Sequence, residues 1–207
     1  IVPDTFVNES GGTLQISGGS ALSLAATSFE NHGGIALTGG GLLYTSGLGS
    51  AGLDLLSGSS LSGEGTVSGN VTNTAGLLSP DAITLNGDYA QGAVGDLSMG
   101  IGGWVQGVDY DFLDVSGAAT LGGSLLLQLE DGFLPAVTDT FVIVEADGGL
   151  AGTFDNVVGL DGSRWSVSYL ATSVVIAFDG MSVPEPGAAY LGLGGLLILL
   201  GYRRKHR

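Results

Sequence analysis

Thr13-Leu14-Gln15-Ile16-Ser17-Gly18-Gly19-Ser20-Ala21-Leu22-Ser23-Leu24-Ala25 is the stretch whose reading decides the fold. Polar and apolar side chains alternate in both halves. That period of two sends Leu14 and Ile16, then Leu22 and Leu24, to one face of an extended strand. Gly18-Gly19 supplies the corner between the halves, because glycine reaches the positive φ angles of sharp turns. The same grammar returns at 35–38, 53–56 and 83–86. Corners such as Gly11-Gly12, Gly33-Gly34, Gly39-Gly40-Gly41 and Gly63-Glu64-Gly65 separate these runs. The spacing is irregular, so no strict repeat emerges. Short strands with one apolar face bury it by stacking, and the expectation is an all-β fold that begins as a Gly-rich parallel β-solenoid (β-helix) of degenerate rungs over 1–95.

Further along, the runs at 125–129, 141–144, 165–169 and 174–178 are longer and richer in aromatic residues. A soft boundary near Gly95 separates the rungs from a β-rich capping or sandwich-like region over 96–181, which would cover the open end of the stack. The 39 glycines accompany only 5 prolines and abundant aliphatic residues, which excludes collagen and Pro-rich disorder. There is no cysteine, and with it go disulfides, zinc-thiolate sites and cysteine nucleophiles.

The net charge of −15 is unevenly distributed. All 20 acidic residues precede Gly187, whereas four of the five basic residues are Arg203, Arg204, Lys205 and Arg207. Such an acidic body repels phosphate backbones and argues against nucleic acid as a partner.

The last stretch, 182–207, follows another logic. Val183-Pro184-Glu185-Pro186 interrupts strand pairing, because proline lacks an N–H and restricts its neighbour. An uncharged run over 187–202 follows, reaching ~24 Å as a helix against a hydrocarbon core of ~30 Å. Seven Leu or Ile residues in it contribute roughly −0.3 to −0.6 kcal/mol each to insertion. Tyr190 and Tyr202 sit near its ends. The expectation is a transmembrane helix over 187–202, with Arg203, Arg204, Lys205 and Arg207 as a basic stop-transfer cluster held in the cytoplasm.

This ordered combination resembles the PEP-CTERM sorting signal of Gram-negative bacteria, the resemblance covering about the last twenty-five residues. It implies recognition of Val183, Pro184, Glu185 and Pro186 by an exosortase, a membrane-embedded transpeptidase-like enzyme. It further implies an inner-membrane intermediate, then release or attachment at the cell surface or in the extracellular matrix, in the context of exopolysaccharide and biofilm. The body more loosely resembles the β-helical passenger regions of autotransporter-like proteins. The carriers are the sixteen residues from Tyr110 through Leu125, Gly132-Phe133-Leu134-Pro135 and Gly152-Thr153-Phe154-Asp155. That resemblance implies a β-helical stalk more than any chemistry.

Candidate chemistry is sparse. His32 beside Gly33-Gly34 reads as a turn residue, and no Gly-x-Ser-x-Gly elbow exists. Gly47-Leu48-Gly49-Ser50-Ala51-Gly52 has dinucleotide-binding spacing, but strand and turn follow it where a helix is required. Asp109, Tyr110 and Asp111 beside Trp104 form the best cluster: two carboxylates and a sugar-stacking surface, the alternative reading being a carbohydrate-binding or carbohydrate-active module. Alternation would put Asp109 and Asp111 on one strand face and Asp114 on the other. Asp109-x-Asp111 also begins like a calcium loop. Asp114 stands where that loop needs glycine, and no Glu closes it, which leaves a weak surface calcium site as the most it offers. The leading expectation is an exported structural or adhesive protein that is not an enzyme and has no cofactor.

Overall fold

The computed structural model describes residues 5–24, 28–45 and 52–182, and no helix occurs among them. The described residues are all-β and build two sheets. The first holds seven short strands in the order β1 (Thr5–Asn8), β4 (Ser28–Asn31), β6 (Leu53–Leu55), β8 (Val71–Asn73), β10 (Tyr89–Gln91), β13 (Ala119–Leu121) and β16 (Leu150–Gly152). Every neighbouring pair is parallel. Between consecutive members the chain crosses to the second sheet. Each pass thus lays one strand on the first sheet and a longer path on the second.

That longer path has two arms. In β5 (Gly34–Tyr44), residues 34–38 pair with β2 (Thr13–Ser17) and residues 42–44 with β3 (Ala21–Ser23), all parallel. β7 (Ser60–Ser68) and β9 (Leu77–Asn86) repeat both arms within one strand each. β11 (Asp96–Ile101) and β12 (Phe112–Val115) then continue the arms separately. β14 (Ser124–Leu129) and β15 (Thr140–Ala146) follow them, and β17 (Asn156–Gly159) extends the first arm. Parallel pairing therefore runs on past Gly95. Only at the end does it change: β19 (Ser173–Met181) lies antiparallel to β15, and β18 (Ser163–Tyr169) antiparallel to β19.

Alternation fixes which side chains enter the interior. Leu14, Ile35, Leu61, Leu78, Leu97, Leu125 and Val157 stand in register down the first arm. The five central members are buried, whereas Leu14 and Val157 at the two ends are partly open. A second column runs Leu22, Leu43, Val67, Leu85, Val115, Ala146, and a third on the first sheet runs Leu53, Val71, Tyr89, Ala119, Leu150. They meet in one hydrophobic core. Each fully buried leucine contributes about 1.5–3 kcal/mol relative to exposure.

Two glycine groups read from sequence as corners between strands lie inside continuous strands instead. The register shifts between Leu37 and Gly41 and between Gly63 and Glu64, so β5 and β7 bend without ending. Gly63 shows why glycine is needed: its φ is +95°, and an added Cβ would lie 2.0 Å from the carbonyl oxygen of Leu37. A bend of this kind turns the strand while leaving Leu61 and Val67 both inward.

No described helix is long and apolar enough to cross a membrane. The motif Val183, Pro184, Glu185, Pro186, the run 187–202 and the cluster Arg203, Arg204, Lys205, Arg207 lie outside the described residues, as do residues 47–51 of the dinucleotide-like spacing.

Candidate functional site

The bend between the two arms is where successive passes differ most. In β7 it is Glu64, and in β9 it is Asp81, both exposed. Between β11 and β12 the bend expands into the loop 102–111, and between β14 and β15 into the loop 130–139. Because the passes stack in register, these corners line up and enclose a cleft of about 430 Å³. Glu64, Asp81, Asp109, Asp111, Glu130 and Asp131 line it, with Tyr110, Val108 and two glycines.

Two carboxylates of the loop, Asp109 and Asp111, hold backbone N–H groups. Asp109 is exposed, and its Oδ2 accepts from the N–H groups of Trp104 at 3.2 Å and Val105 at 3.0 Å, closing the loop on itself. Its backbone carbonyl accepts from Gly102 N–H at 2.8 Å. Asp111 Oδ2 accepts from Gly100 N–H at 2.6 Å. Burial pushes the Asp111 carboxyl up to about 7, and the negative charges of Glu130 and Asp81 add to the rise against the pull of the Gly100 N–H.

The rings of Tyr110 and Trp104 both pack on Phe141. The Tyr110 ring is buried edge-on against Phe141 at 5.2 Å, and burial raises its hydroxyl pKa. Trp104 stacks on Phe141 at 5.6 Å with an 18° tilt, and meets Phe133 edge-on at 5.1 Å. It is still 58% exposed, so much of the indole faces solvent.

The four residues singled out from sequence thus occupy one loop. Asp109, Tyr110 and Asp111 line the cleft; Trp104 stands outside its lining. None of the four lies in a regular strand, because β12 starts only at Phe112. Asp114 lies on the outward side of β12, in register with Thr84 and Glu145, and is absent from the cleft lining. Glu64, Asp81, Glu130 and Asp131 escaped the sequence reading. Their signal was weak but present, since Gly63-Glu64-Gly65 and Pro80-Asp81 are both turn-like, and only the stacking register joins them to Asp111. Among the described residues, no three His, Cys, Asp or Glu side chains converge closely enough to hold a metal ion. His32 lies elsewhere, its Nε2 3.9 Å from Glu30, both partly exposed.

No protein-family model matches the sequence, and no curated protein is significantly similar to it.

Proposed function

We propose that this chain is an exported structural or adhesive protein of the bacterial surface or extracellular matrix, a parallel β-solenoid stalk delivered by a PEP-CTERM-like tail and without catalytic activity. The observation that carries the reading is the junction at the end of β19. The last strand closes the body at Met181, and Val183-Pro184-Glu185-Pro186, the apolar run and the basic cluster follow at once. A tail in that order is suited to an exosortase-type enzyme, with the apolar run in the inner membrane and the acidic body on the far side.

The body suits a stalk for a physical reason. Stacked passes contact only their neighbours, so length and stiffness grow with pass number, and a continuous apolar column supplies the cohesion. Three of the cleft carboxylates, Glu64, Asp109 and Asp111, hold backbone N–H groups, a supporting role consistent with a scaffold. A link to exopolysaccharide is part of the same proposal, while the acidic surface disfavours nucleic acid.

Deleting 182–207 tests the reading. The expected product is a soluble, folded body that no longer associates with the cell surface, and unchanged surface localisation would refute the tail's role. Intact-mass measurement of surface-extracted protein separates a cleaved tail from a permanent anchor.

A further inference from the structure

We infer that the corner made by loops 104–108 and 133–137 and the end of β19 is a membrane-docking face, resting on the lipid–water interface of a zwitterionic bilayer. This inference rests on the reading that the run 187–202 enters that bilayer.

The face is apolar where a solvent-facing loop would be polar. Leu134 is 74% exposed, Val137 61%, and Trp104 more than half. They belong to one surface. Trp104 contacts Phe133 next to Leu134, and Val137 Cγ2 lies 3.8 Å from where a Cβ on Gly180 would sit. Thr138 N–H ties the second loop to the Phe178 carbonyl of β19 at 2.8 Å. Core packing accounts for only part of Trp104, whose indole lies on Phe141 and leaves much of its surface free. An indole with aliphatic neighbours is the composition that partitions to the headgroup boundary.

What brings a bilayer to this face is the chain itself. β19 ends at Met181, beside Gly180 and the Val137 contact. From Ser182 to Gly187 there are five peptide steps, which reach at most ~18 Å. With the run in the membrane, this corner cannot leave its vicinity. Docking is then intramolecular, at an effective concentration on the order of millimolar, so weak interfacial affinity suffices. The headgroup preference follows from Asp109 and Asp131 beside the face, whose charges oppose anionic lipid.

The experiment uses the full chain carrying Trp165→Phe, which leaves Trp104 as the single tryptophan. It is reconstituted into phosphatidylcholine vesicles, with and without brominated acyl chains, and isolated by flotation. The expected result is about a twofold loss of Trp104 emission in brominated vesicles. Inserting about twenty Gly/Ser residues after Ser182 should restore most of the emission by diluting the face away from the bilayer. Leu134→Asp with Val137→Asp should restore it too, with flotation and the far-UV circular dichroism spectrum unchanged. Protein that floats while Trp104 stays unquenched overturns the docking face and leaves the anchored tail standing. Protein that does not float overturns both. Trp104 emission that ignores lipid and answers soluble glycan would assign the face to carbohydrate and overturn the inference.

Discussion

Asn73 donates its side-chain N–H to the carbonyl oxygen of Asp96, 2.9 Å away and 23 residues further along the chain. The same side chain accepts from Gly76 N–H at 2.9 Å through Oδ1. Asn8 reaches the carbonyl of Gly34 and Gln91 that of Ser124 in the same manner. In each case an amide at the end of a first-sheet strand turns inward and holds the first residue of a second-sheet strand one pass later. A carboxylate could not do this, because it lacks the donor. Leu55 interrupts the column next to Asn31, whose Nδ2 is buried without a hydrogen-bond partner.

Replacing Asn73 by Leu removes the side-chain donor to the Asp96 carbonyl and leaves the Gly76 N–H without its acceptor next to the core. The expected loss is about 1–3 kcal/mol, the cost of one orphaned buried donor. Urea unfolding followed by circular dichroism measures it. Stability unchanged within error would show that the amide column is dispensable.

Gly63→Ala and Gly58→Ala both place a side chain at a positive φ, +95° and +84° respectively. At Gly58 nothing lies within 4 Å of the new Cβ, whereas at Gly63 a backbone oxygen does. The expected cost is about 1–2 kcal/mol at Gly58, from conformation alone. At Gly63 strain and clash together should exceed that by at least ~2 kcal/mol. Equal midpoints in thermal unfolding of the two variants would contradict the role given to the bend.

Asp111 makes stability depend on pH in a definite direction. Its folded pKa of about 7 exceeds the ordinary carboxylate value of 3.8, so the folded state binds the proton more tightly. This contribution is full below the unfolded pKa and is lost as pH rises through the folded one. Asp111→Asn keeps an acceptor for Gly100 N–H and removes the titration. The variant should match the parent in melting temperature near pH 4 and exceed it near pH 8. Parallel melting profiles over that window would rule out the raised carboxyl.

Val175 sits in the middle of β19, in register with Val142 on one side and Ser168 on the other. Val175→Pro removes a ladder N–H there and should detach the antiparallel hairpin, exposing the β15 edge. Size-exclusion chromatography should then show concentration-dependent oligomers absent from the parent. A monodisperse variant with the parent's elution would show that the hairpin does not guard that edge.

Part of this architecture is legible in the sequence. The strand at 13–17 matches β2, and the inward choice of Leu14, Ile16, Ile35 and Leu37 follows from alternation alone. The bends at 39–41 and 63–65 were visible as glycine clusters but not as interior to single strands. Glycine marks a needed backbone conformation without saying whether pairing resumes beyond it. Two of the six cleft carboxylates were legible too, Asp109 and Asp111, because those residues are neighbours in sequence.

What the sequence determined by itself is the local rule. Covalent geometry fixes a period of two along any extended segment, so every strand's apolar face, and the apolar and basic order of the tail, can be read without coordinates. Only tertiary structure decided the register between passes. Pass length varies, from 17 residues between Leu61 and Leu78 to 32 between Leu125 and Val157, because the outward corners expand freely into solvent while the inward columns stay aligned. Burial of those columns sets which corners stack, and so brings Glu64, Asp81, Asp111 and Glu130 to one cleft and Trp104 onto Phe141.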